Sequence, residues 1–430
     1  MSRPVAIDLF AGAGGMGLGF EQAGFDVRAA AEIDPVHCVV HAYNFPQCAT
    51  LPASVADLSA DAIRRAAGLG PDDEVDCVFG GPPCQGFSMM GQRALEDPRN
   101  RLVLEFVRIV SELGARSFVF ENVRGLTVGA HRALLDELVE AFQARGYQVA
   151  LPWRVLDAAD FGVPQRRQRL ILLGARAGEA LPSYPSPTCA PADRAPHPDL
   201  PRGPTCADAL RDLPEIEALA TLLTGDTARF TPSLPRSAYA AALRAETALG
   251  WGAGPRRVWD PELLTASTRT THSARSRARF HEAAPGTVEP VSRFFKLAPD
   301  GLCNTLRAGT DSARGAFTSP RPIHYDAPRC VTVREMARLH GYPDWFRPHA
   351  TKWHGAREIG NSVPPPLARA VAEQVRRALR CPLTVLDLEI PLGDPRLLTM
   401  TSSEAAAHLG VACAIAQRDR RNRAPRVGAP

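Results

Sequence analysis

Cys84 stands in a segment whose residue types and order suit covalent catalysis. The segment reads GGPPCQGFS over residues 80–88 and follows the mostly apolar run 75–79. Glycine permits unusual backbone angles, whereas proline fixes φ and removes an N–H donor. We therefore expect a strand that ends in a rigid turn and presents one thiol at the edge of a sheet. A buried structural cysteine would need no such turn, but a nucleophile that must meet a flat substrate at a fixed angle would.

Glu121 is a second candidate for chemistry. It follows the apolar segment 117–120, where a carboxylate is costly unless it has a partner. A desolvated Glu can hold a proton near neutral pH and act as an acid. The alternative is that Glu121 only caps the helix that follows.

An arginine-rich segment could surround these two groups. In an extended chain Gln165, Arg167 and Arg169 lie on one face, and Arg166 lies on the other. Two guanidiniums near the carboxylate and the thiol would make an electropositive pocket, which favours the thiolate. The alternative is a solvated basic edge strand.

A glycine-rich run, DLFAGAGGMG at residues 8–17, has the spacing of a cofactor-binding turn. Its glycines satisfy G-x-G-x-x-G, and Glu32 lies twenty residues beyond Gly12, where a carboxylate can bind ribose hydroxyls. The pattern alone fits NAD, FAD or an adenosyl cofactor, or a tight turn with an incidental Glu. It departs from the usual dinucleotide fingerprint because Asp8 stands late in the strand. Asp57 is a candidate for the adenine amino group or a simple helix cap.

The composition excludes several classes of protein. A chain of 430 residues can bury a large core and form two domains. Its net charge of +4 is compatible with nucleic acid but does not argue for it. Ten cysteines without a CxxC pair argue against a zinc ribbon or thioredoxin-type site, and their scatter fits a reducing compartment. Because no apolar run reaches membrane length and no signal-peptide pattern is present, we expect a cytoplasmic protein.

The N-terminal half alternates apolar strands with helical segments. We expect strands at 5–10, 27–33, 75–79, 117–120 and 169–173, and helices at 18–23, 36–44, 101–113 and 131–145. This alternation predicts a mostly parallel, doubly wound sheet. Ligands bind such sheets beyond the carboxyl ends of the strands, so the glycine turn and the thiol turn should share that edge.

The chain changes character between about residues 175 and 329, where it is rich in proline, threonine, serine and arginine. Either a phosphate-tracking surface or a solvated charged face explains its cluster of Arg269, Arg275, Arg277 and Arg279. Residues 333–340 and 367–379 are predicted helices.

The C-terminal residues 381–430 show little pattern. Thr401 and Glu404 have the spacing of a capping box ahead of a short helix, and no second helix completes a helix-turn-helix. The basic segment 417–426 is expected to be disordered, and the extension as a whole to be frayed.

Taken together, these runs resemble the DNA (cytosine-5) methyltransferase family. The matching residues are the run 8–17, Glu32, Asp57, GPPCQGFS at 81–88, ENVRGL at 121–126, FGVPQRRQR at 161–169, VTVREMARLHGYP at 331–343 and IGNSVPP at 359–365. They occur in the family's order, and the segments they span cover about half of the chain. Met16 is a small departure, because many members carry Phe there.

The resemblance implies an α/β fold. We expect a doubly wound, Rossmann-like S-adenosylmethionine-dependent methyltransferase domain with a smaller inserted target-recognition domain. The catalytic domain would comprise residues 1–185 and 329–380 and would therefore be discontinuous. The target-recognition domain would comprise residues 186–328, and a partly disordered extension would comprise residues 381–430.

The resemblance also implies a mechanism. The Cys84 thiolate would add to C6 of a cytosine that has been flipped out of the duplex, and Glu121 would hydrogen-bond N3 and the exocyclic amine. Arg169, with help from Arg167, is similar to the family arginine that contacts the base O2. The activated C5 would then take the methyl group of S-adenosylmethionine.

Further site residues follow from the same resemblance. The implied cofactor residues are Phe10, Ala11, Gly12, Gly14, Gly15, Glu32, Ile33, Asp57, Asn361 and Ser362. The implied DNA contacts are Ser88, Arg93 and Arg99 of a mobile loop, and Thr305 and Arg307 of the insert. No metal site is expected.

We expect a monomeric modification enzyme of a bacterial restriction–modification system. It would act on double-stranded DNA in the nucleoid, and a cognate restriction endonuclease would act on the same site without a stable complex. A tRNA-directed relative is the first alternative, and the long insert argues against it. A non-catalytic DNA-binding regulator is the second, and the intact Cys84, Glu121 and Arg169 argue against it. A nicotinamide dehydrogenase would leave the thiol turn unexplained.

Overall fold

The computed structural model describes residues 3–83, 101–127, 131–233, 237–309 and 320–412. Its longer helices and the strands of its main sheet alternate along the first half of the chain. The strands are β1 (Val5–Leu9), β2 (Asp26–Glu32), β3 (Ala49–Pro52), β4 (Cys77–Gly80), β5 (Ser117–Val123), β6 (Tyr147–Val149), β7 (Arg154–Asp157), β8 (Gln168–Arg176), β9 (Ala228–Arg229), β10 (Arg256–Val258), β11 (Leu263–Leu264) and β12 (Glu389–Pro391).

The helices occupy both the alternating half and the later part of the chain. They are α1 (Gly15–Gln22), α2 (Pro35–Asn44), α3 (Ala60–Ala66), α4 (Arg101–Glu112), α5 (His131–Gln143), α6 (Cys206–Leu210), α7 (Ala238–Leu243), α8 (Ala248–Trp251), α9 (Ala274–Glu282), α10 (Val333–Leu339), α11 (Lys352–Asn361), α12 (Pro365–Ala378) and α13 (Ser402–Leu409). In the described ranges no helix is long and apolar enough to cross a membrane.

Eight strands of the described chain form one sheet in the order β3-β2-β1-β4-β5-β8-β6, and β7 also pairs with β8. Strands β1 to β5 are parallel, whereas β8 runs antiparallel to its neighbours. The predicted mostly parallel, doubly wound sheet is therefore confirmed. Strand order reverses between β1 and β4, and a crevice opens beyond the carboxyl ends of the strands at such a point.

The sheet separates two hydrophobic cores. Ala6 of β1 and Val119 of β5 belong to the core that includes α1, α2, α10 and α12. Their neighbours Ile7 and Phe118 belong to the opposite core, with α3, α4 and α5. Successive side chains of a strand point to opposite faces, so the central strands β1 and β5 contribute to both cores, and the sheet lies between two layers of helices.

Residues of the long insert share the first of these cores. Leu210, Leu297 and Leu306 are buried in one cluster with sheet and helix residues of the N-terminal half. Within that cluster, the fully buried Arg257 guanidinium lies 2.8 Å from the Glu21 carboxylate on α1. The same guanidinium lies over the Trp345 ring, 4.8 Å from its centre. The insert is thus anchored on the sheet layer by apolar packing and by a buried ion pair.

Within its described residues 381–412, the C-terminal extension packs on α2, so the prediction of a frayed extension is wrong there. Residues 413–430, with the basic segment 417–426, lie outside the described residues. Leu398 and Ala405 are buried in the first core, and the Gly393 N–H donates to Tyr43 O at 2.8 Å. The predicted capping box is confirmed, because Thr401 and Glu404 exchange hydrogen bonds at the start of α13. Sequence reasoning missed this packing because only a few apolar residues are spaced along the segment.

Candidate active site

A cavity of about 650 Å³ lies beyond the carboxyl ends of β1, β2, β4 and β5. It occupies the crevice at the point where strand order reverses, which is the usual ligand site of such a sheet. Most of the predicted cofactor residues line it, namely Phe10, Ala11, Gly12, Gly15, Glu32, Ile33, Asn361 and Ser362. Glu121 and Arg169 line the same cavity. The fold therefore brings together motifs that are far apart in the sequence.

The glycine turn after β1 has a backbone that few residues other than glycine can adopt. Gly12 and Gly14 have φ of 56° and 98°, and Phe10 has φ of 62°, which is strained for a residue with a side chain. A Cβ on Gly14 would lie 2.3 Å from the Phe45 ring, and a Cβ on Gly15 would lie 2.3 Å from the Tyr342 hydroxyl. Gly14 does not line the cavity, but its conformation begins α1. The turn therefore holds its backbone close against both the cavity and the core.

Glu32 ties the end of β2 to the glycine turn. Its carboxylate accepts the Gly12 N–H at 2.8 Å and the N–H groups of Ile33 and Asp34 at 2.9 and 2.8 Å. These bonds hold the carboxylate at the cavity wall, with lone pairs left to accept hydroxyl groups. Ile33 is 59% exposed and also lines the cavity, so it offers apolar surface to a planar ring.

Asp57 is exposed and does not line the cavity. Ser54 and Val55 line the cavity instead. The Ser54 side chain caps the short 3₁₀ turn over residues 55–57, and Val55 is buried in the core. Val55 is buried while Asp57 is exposed, so the structure places Asp57 outside the wall of the cavity that it was expected to line.

Glu121 and Arg169 form an ion pair at the other end of the cavity. Arg169 Nε lies 2.8 Å from Glu121 Oε1, and the two side chains are only 10% and 12% exposed. Burial raises the pKa of the Glu121 carboxyl above its usual value, and the charges of Arg169 and Arg167 oppose that shift. Burial also lowers the pKa of Arg169, against the pull of Glu121. The pair therefore places a carboxyl whose pKa is raised by burial at the edge of the cavity.

The turn that leads to Cys84 docks against Glu121. A Cβ on Gly81 would lie only 2.4 Å from Glu121 Oε2, and the Asn122 side-chain amide donates to Pro82 O at 3.1 Å. Pro82 and Pro83 line the cavity. The start of the thiol turn is therefore a wall of the cavity. Residues 84–100 lie outside the described residues, and with them Cys84, Ser88, Arg93 and Arg99.

The arginine-rich segment alternates as predicted. Gln165, Arg167 and Arg169 are buried, whereas Arg166 pairs with the carboxylates of Asp157 and Asp193 on the opposite side. The alternative of a solvated basic edge strand is therefore wrong. Strand β8 is instead flanked on both sides, by β5 and by β6 and β7.

Arg167 does not line the cavity. Its fully buried guanidinium donates to three backbone carbonyls, those of Leu306 at 2.9 Å, Gly360 at 2.7 Å and Ser362 at 2.8 Å. Arg167 was expected to help Arg169 contact the base, but the structure shows no contact of Arg167 with the cavity. The side chain instead joins the insert to the segment that carries Asn361 and Ser362.

The C-terminal motif folds back onto the sheet layer of the N-terminal half. Helix α12 packs on α1 so closely that a Cβ on Gly19 would lie 2.5 Å from the Ala368 Cβ. This contact places Asn361 and Ser362, which precede α12, at the cavity wall. Small residues on both helices make the approach possible.

The insert reaches the cavity through the segment after Cys303. Thr305 and Arg307 are exposed, and Ala308 and Gly309 line the cavity. The Thr305 hydroxyl donates to Arg166 O at 2.6 Å. In the arginine cluster of the insert, Arg277 pairs with Glu217, and Arg279 with Glu289. These two arginines are partly neutralised, which favours a charged face held by local pairs.

Sequence reasoning missed several residues of the cavity wall. The missed residues include Asp8, His37, Leu102, Asn122, Trp353, Arg357 and Glu358. Asp8 and Glu358 are buried carboxyls, and burial raises the pKa of each well above its usual value. Asp8 opens the glycine-rich run 8–17, and Glu358 directly precedes the run 359–365, so a carboxyl at the edge of a recognised motif was the available signal. Among the described residues, no cluster of His, Cys, Asp and Glu could hold a metal ion.

The chain is similar to known proteins over most of its length. It is 55% identical over 418 residues to the Type II methyltransferase M.XorII of Xanthomonas oryzae, covering 97% of this chain and 95% of that protein. It is 32% identical to the Type II methyltransferase M1.HphI of Haemophilus parahaemolyticus, covering 86% of each. The crystal structure of a DNA modification methyltransferase encoded within an E. coli prophage has a TM-score of 0.68 and 30% identity, covering 88% of this chain and 99% of that chain.

The family model for C-5 cytosine-specific DNA methylases matches residues 5–377. That range contains the glycine turn, the thiol turn, the Glu121–Arg169 pair and the segment before α12. The chain therefore belongs to the C-5 cytosine-specific DNA methylase family and is a DNA (cytosine-5) methyltransferase.

Proposed function

We propose that this chain methylates C5 of cytosine at one short sequence in double-stranded DNA, with S-adenosylmethionine as the methyl donor. The observation that carries the proposal is a single cavity with two chemically different ends. One end holds Glu32 and Ile33 beside the glycine turn, and the other holds the Glu121–Arg169 pair beside the thiol turn. Two ligands that react with each other would meet between these ends.

The residues of the first end fit the cofactor. The Glu32 carboxylate suits ribose hydroxyls, and Ile33 offers an apolar face for adenine. Ser54 and Val55, from the turn after β3, complete that end. Asn361 and Ser362 would hold the amino-acid portion. When bound, S-adenosylmethionine supplies an electrophilic methyl group on a sulfonium.

The second end provides acid and nucleophile. The Cys84 thiolate forms a bond to C6 of the cytosine, and the electron pair of the C5–C6 double bond becomes available at C5. Glu121 donates a hydrogen bond to N3 and stabilises the charge that develops on the ring. Arg169 holds the Glu121 side chain and contacts O2. After C5 has gained the methyl group, loss of the C5 proton expels the thiolate and restores the double bond.

The target carbon cannot be reached inside a duplex, so the base must leave the stack. Base flipping costs roughly a few kcal/mol. Thr305 and Arg307 lie on the exposed side of the segment that enters the cavity, where they can contact DNA. Ser88, Arg93 and Arg99 would act from the segment that follows Cys84 in the sequence.

The biological role we propose is modification of DNA in a restriction–modification system. M.XorII and M1.HphI are both named Type II methyltransferases, and the similarity to M.XorII extends over nearly the whole chain. We propose a monomer that acts on the nucleoid in the cytoplasm. A cognate endonuclease would recognise the same sequence without forming a stable complex.

The test is a map of 5-methylcytosine in a bacterial host without DNA methylation. The wild-type chain should methylate one short motif, and the Cys84→Ser variant should give a blank map at equal expression. A blank map for a soluble wild-type protein that binds S-adenosylmethionine would contradict the DNA substrate. Mapping of 5-methylcytosine in the host tRNA would then separate an RNA-directed enzyme from a non-catalytic regulator.

A further inference from the structure

We propose that Arg167 is a positioning residue that couples the cofactor site to the DNA-facing segment 303–309. This inference rests on the proposed function, because it concerns two ligands of that enzyme. Arg167 touches neither ligand end of the cavity. Its role would be to hold two segments in one arrangement, so that binding at either segment favours binding at the other.

The contacts of Arg167 join segments that are distant in the sequence. Its Nη1 donates to Leu306 O, which belongs to the DNA-facing segment. Its Nη2 donates to Gly360 O and Ser362 O, which flank Asn361 at the cofactor wall. The planar guanidinium has donors in a rigid fork, so it can satisfy both segments only when they keep this relative position.

Gln165 reinforces the same junction from two residues away on the same face. Its side-chain oxygen accepts the Leu306 N–H at 3.1 Å, and its amide nitrogen lies 3.0 Å from His340 Nδ1. The other ring nitrogen of His340 lies 3.1 Å from the Ser362 hydroxyl oxygen. Leu306 is therefore held through its N–H as well as its carbonyl. The segment that follows it enters the cavity at Ala308 and Gly309.

The two segments also touch each other directly. A Cβ on Gly360 would lie 2.4 Å from Arg307 C and 2.4 Å from Ala308 N. The backbone at Arg307, an exposed residue on the DNA side, thus rests on the backbone that precedes Asn361. A displacement of either segment must move the other or break the Arg167 bonds. This arrangement provides a physical path by which binding at one segment would change the position of the other.

The experiment measures how strongly DNA changes cofactor affinity. The dissociation constant of S-adenosylhomocysteine would be measured by calorimetry, with and without a duplex that contains the mapped recognition sequence. The ratio of the two constants is the coupling factor, which is commonly about 5 to 150 in coupled proteins. We expect the wild type to lie in that range and Arg167→Lys to bring the factor close to one.

A second variant separates coupling from general damage to the fold. Gly360→Ala leaves Arg167 unchanged but forces the two backbones apart, so it should also lower the coupling factor. Arg166→Lys is the control, because Arg166 faces the other way and pairs with Asp157 and Asp193. It should keep the wild-type factor. Thermal unfolding would verify that each variant is folded.

Each outcome decides the proposal. A loss of coupling in Arg167→Lys and Gly360→Ala, with the factor kept in Arg166→Lys, supports it. Weaker binding of both ligands with an unchanged factor would mean that Arg167 only stabilises the fold. A wild-type factor of one would also overturn the inference, while methylation by the same protein would leave the proposed function intact.

Discussion

Arg169 and Glu121 lie on the same face of two adjacent antiparallel strands, with Arg169 Nε 2.8 Å from Glu121 Oε1. Arg169 pairs with Val123 and Glu121 pairs with Ile171 in the β5–β8 register. The two side chains are therefore diagonal neighbours, a distance that a long arginine side chain can bridge. This register delivers both groups to the end of the sheet where the cavity opens.

The pH dependence of turnover should reveal the effect of Arg169 on the pKa of Glu121. Arg169 opposes the rise that burial produces in the pKa of Glu121, so removing its positive charge should raise that pKa further. If protonated Glu121 is the active form, turnover falls as pH rises through this pKa. In Arg169→Gln, the descending limb of the residual rate should therefore move to higher pH.

The control for this shift is Arg124→Gln. Arg124 is an exposed cation that donates to the Gln168 side chain and does not line the cavity. Its removal should leave the limb in place. If the descending limb also stays in place in Arg169→Gln, then this limb does not report the titration of the Glu121 carboxyl.

Gly81→Ala should abolish methyl transfer while leaving cofactor binding nearly intact. The new Cβ would lie 2.4 Å from Glu121 Oε2 and would displace the carboxylate from the cavity edge. Gly125→Ala is the matched control, because its Cβ would meet only Val123 Cγ2 at 3.9 Å. Rates measured with radiolabelled cofactor, together with calorimetry, would test this. Normal turnover in Gly81→Ala would show that the Glu121 position is not critical.

Cys84→Ser should bind S-adenosylmethionine and DNA yet transfer no methyl groups, because a hydroxyl is a far weaker nucleophile than a thiolate near neutral pH. Duplex DNA with 5-fluorocytosine at the target should trap the wild type covalently, since fluorine cannot leave C5 as a proton does. A denaturing gel would detect the adduct. Appreciable turnover or trapping by Cys84→Ser would remove Cys84 from its assigned role.

Glu32→Ala should weaken cofactor binding by at least about tenfold, which corresponds to roughly 1.4 kcal/mol. The variant loses a carboxylate that lines the cavity and also orders Gly12 and Ile33. Asp57→Ala should change the affinity far less, because Asp57 is exposed and outside the cavity wall. Calorimetry on both variants without DNA checks this. Equal losses in the two variants would contradict the position of Asp57 in the structure.

Glu335→Gln should destabilise the fold by about 3 kcal/mol or more at neutral pH, because it breaks a buried ion pair. Burial alone would raise the pKa of Glu335, but Arg329, with nitrogens 2.9 Å from both carboxylate oxygens, and His324 hold that pKa at about 2. The carboxylate therefore contributes its full stability above the usual value of 4.5, and loses it as pH falls toward 2.

The stability difference between wild type and Glu335→Gln should accordingly shrink on acidification. Urea unfolding followed by tryptophan fluorescence, at pH 7 and again in the acid range, measures it. Glu335 forms a capping box with Thr332 at the start of α10. Glu404→Gln is a matched control, since Glu404 forms the same kind of box with Thr401 but is exposed and has no arginine in that box. It should show little change at either pH. A constant difference across the acid range would contradict the depressed pKa.

The alternation of strands and helices was predictable because apolar runs of strand length stood between recognisable helices. The segment 27–33 was predicted as a strand and is observed as Asp26–Glu32. The short strands β3, β6 and β7 were missed, because three or four residues cannot display a period. The antiparallel direction of β8 could not be predicted from the local sequence pattern, because it depends on how the chain returns to the sheet.

The site was predictable where each motif carries its own chemistry, as at Glu32 and Glu121. The position of Arg167 was not, because its partners Leu306 and Gly360 are 139 and 193 residues away in the sequence. A residue pattern can place a guanidinium on a face of a strand. Only the folded chain determines whether that guanidinium contacts a ligand or a backbone carbonyl.

The pairing of Glu21 with Arg257 ties the insert to α1. Since we propose that this insert recognises DNA, we expect the pairing to limit how new DNA specificities arise. A recognition module that rested on its own core could be exchanged between enzymes as a cassette. Here a transplant of residues 186–328 would remove Arg257 and leave Glu21 buried on α1 without its cation. The transplant would also remove Trp251, whose ring stacks on the Trp345 ring. We therefore expect changes of specificity to accumulate by substitution at exposed residues of the insert. The part of the insert that packs on the sheet layer would be inherited together with the catalytic scaffold.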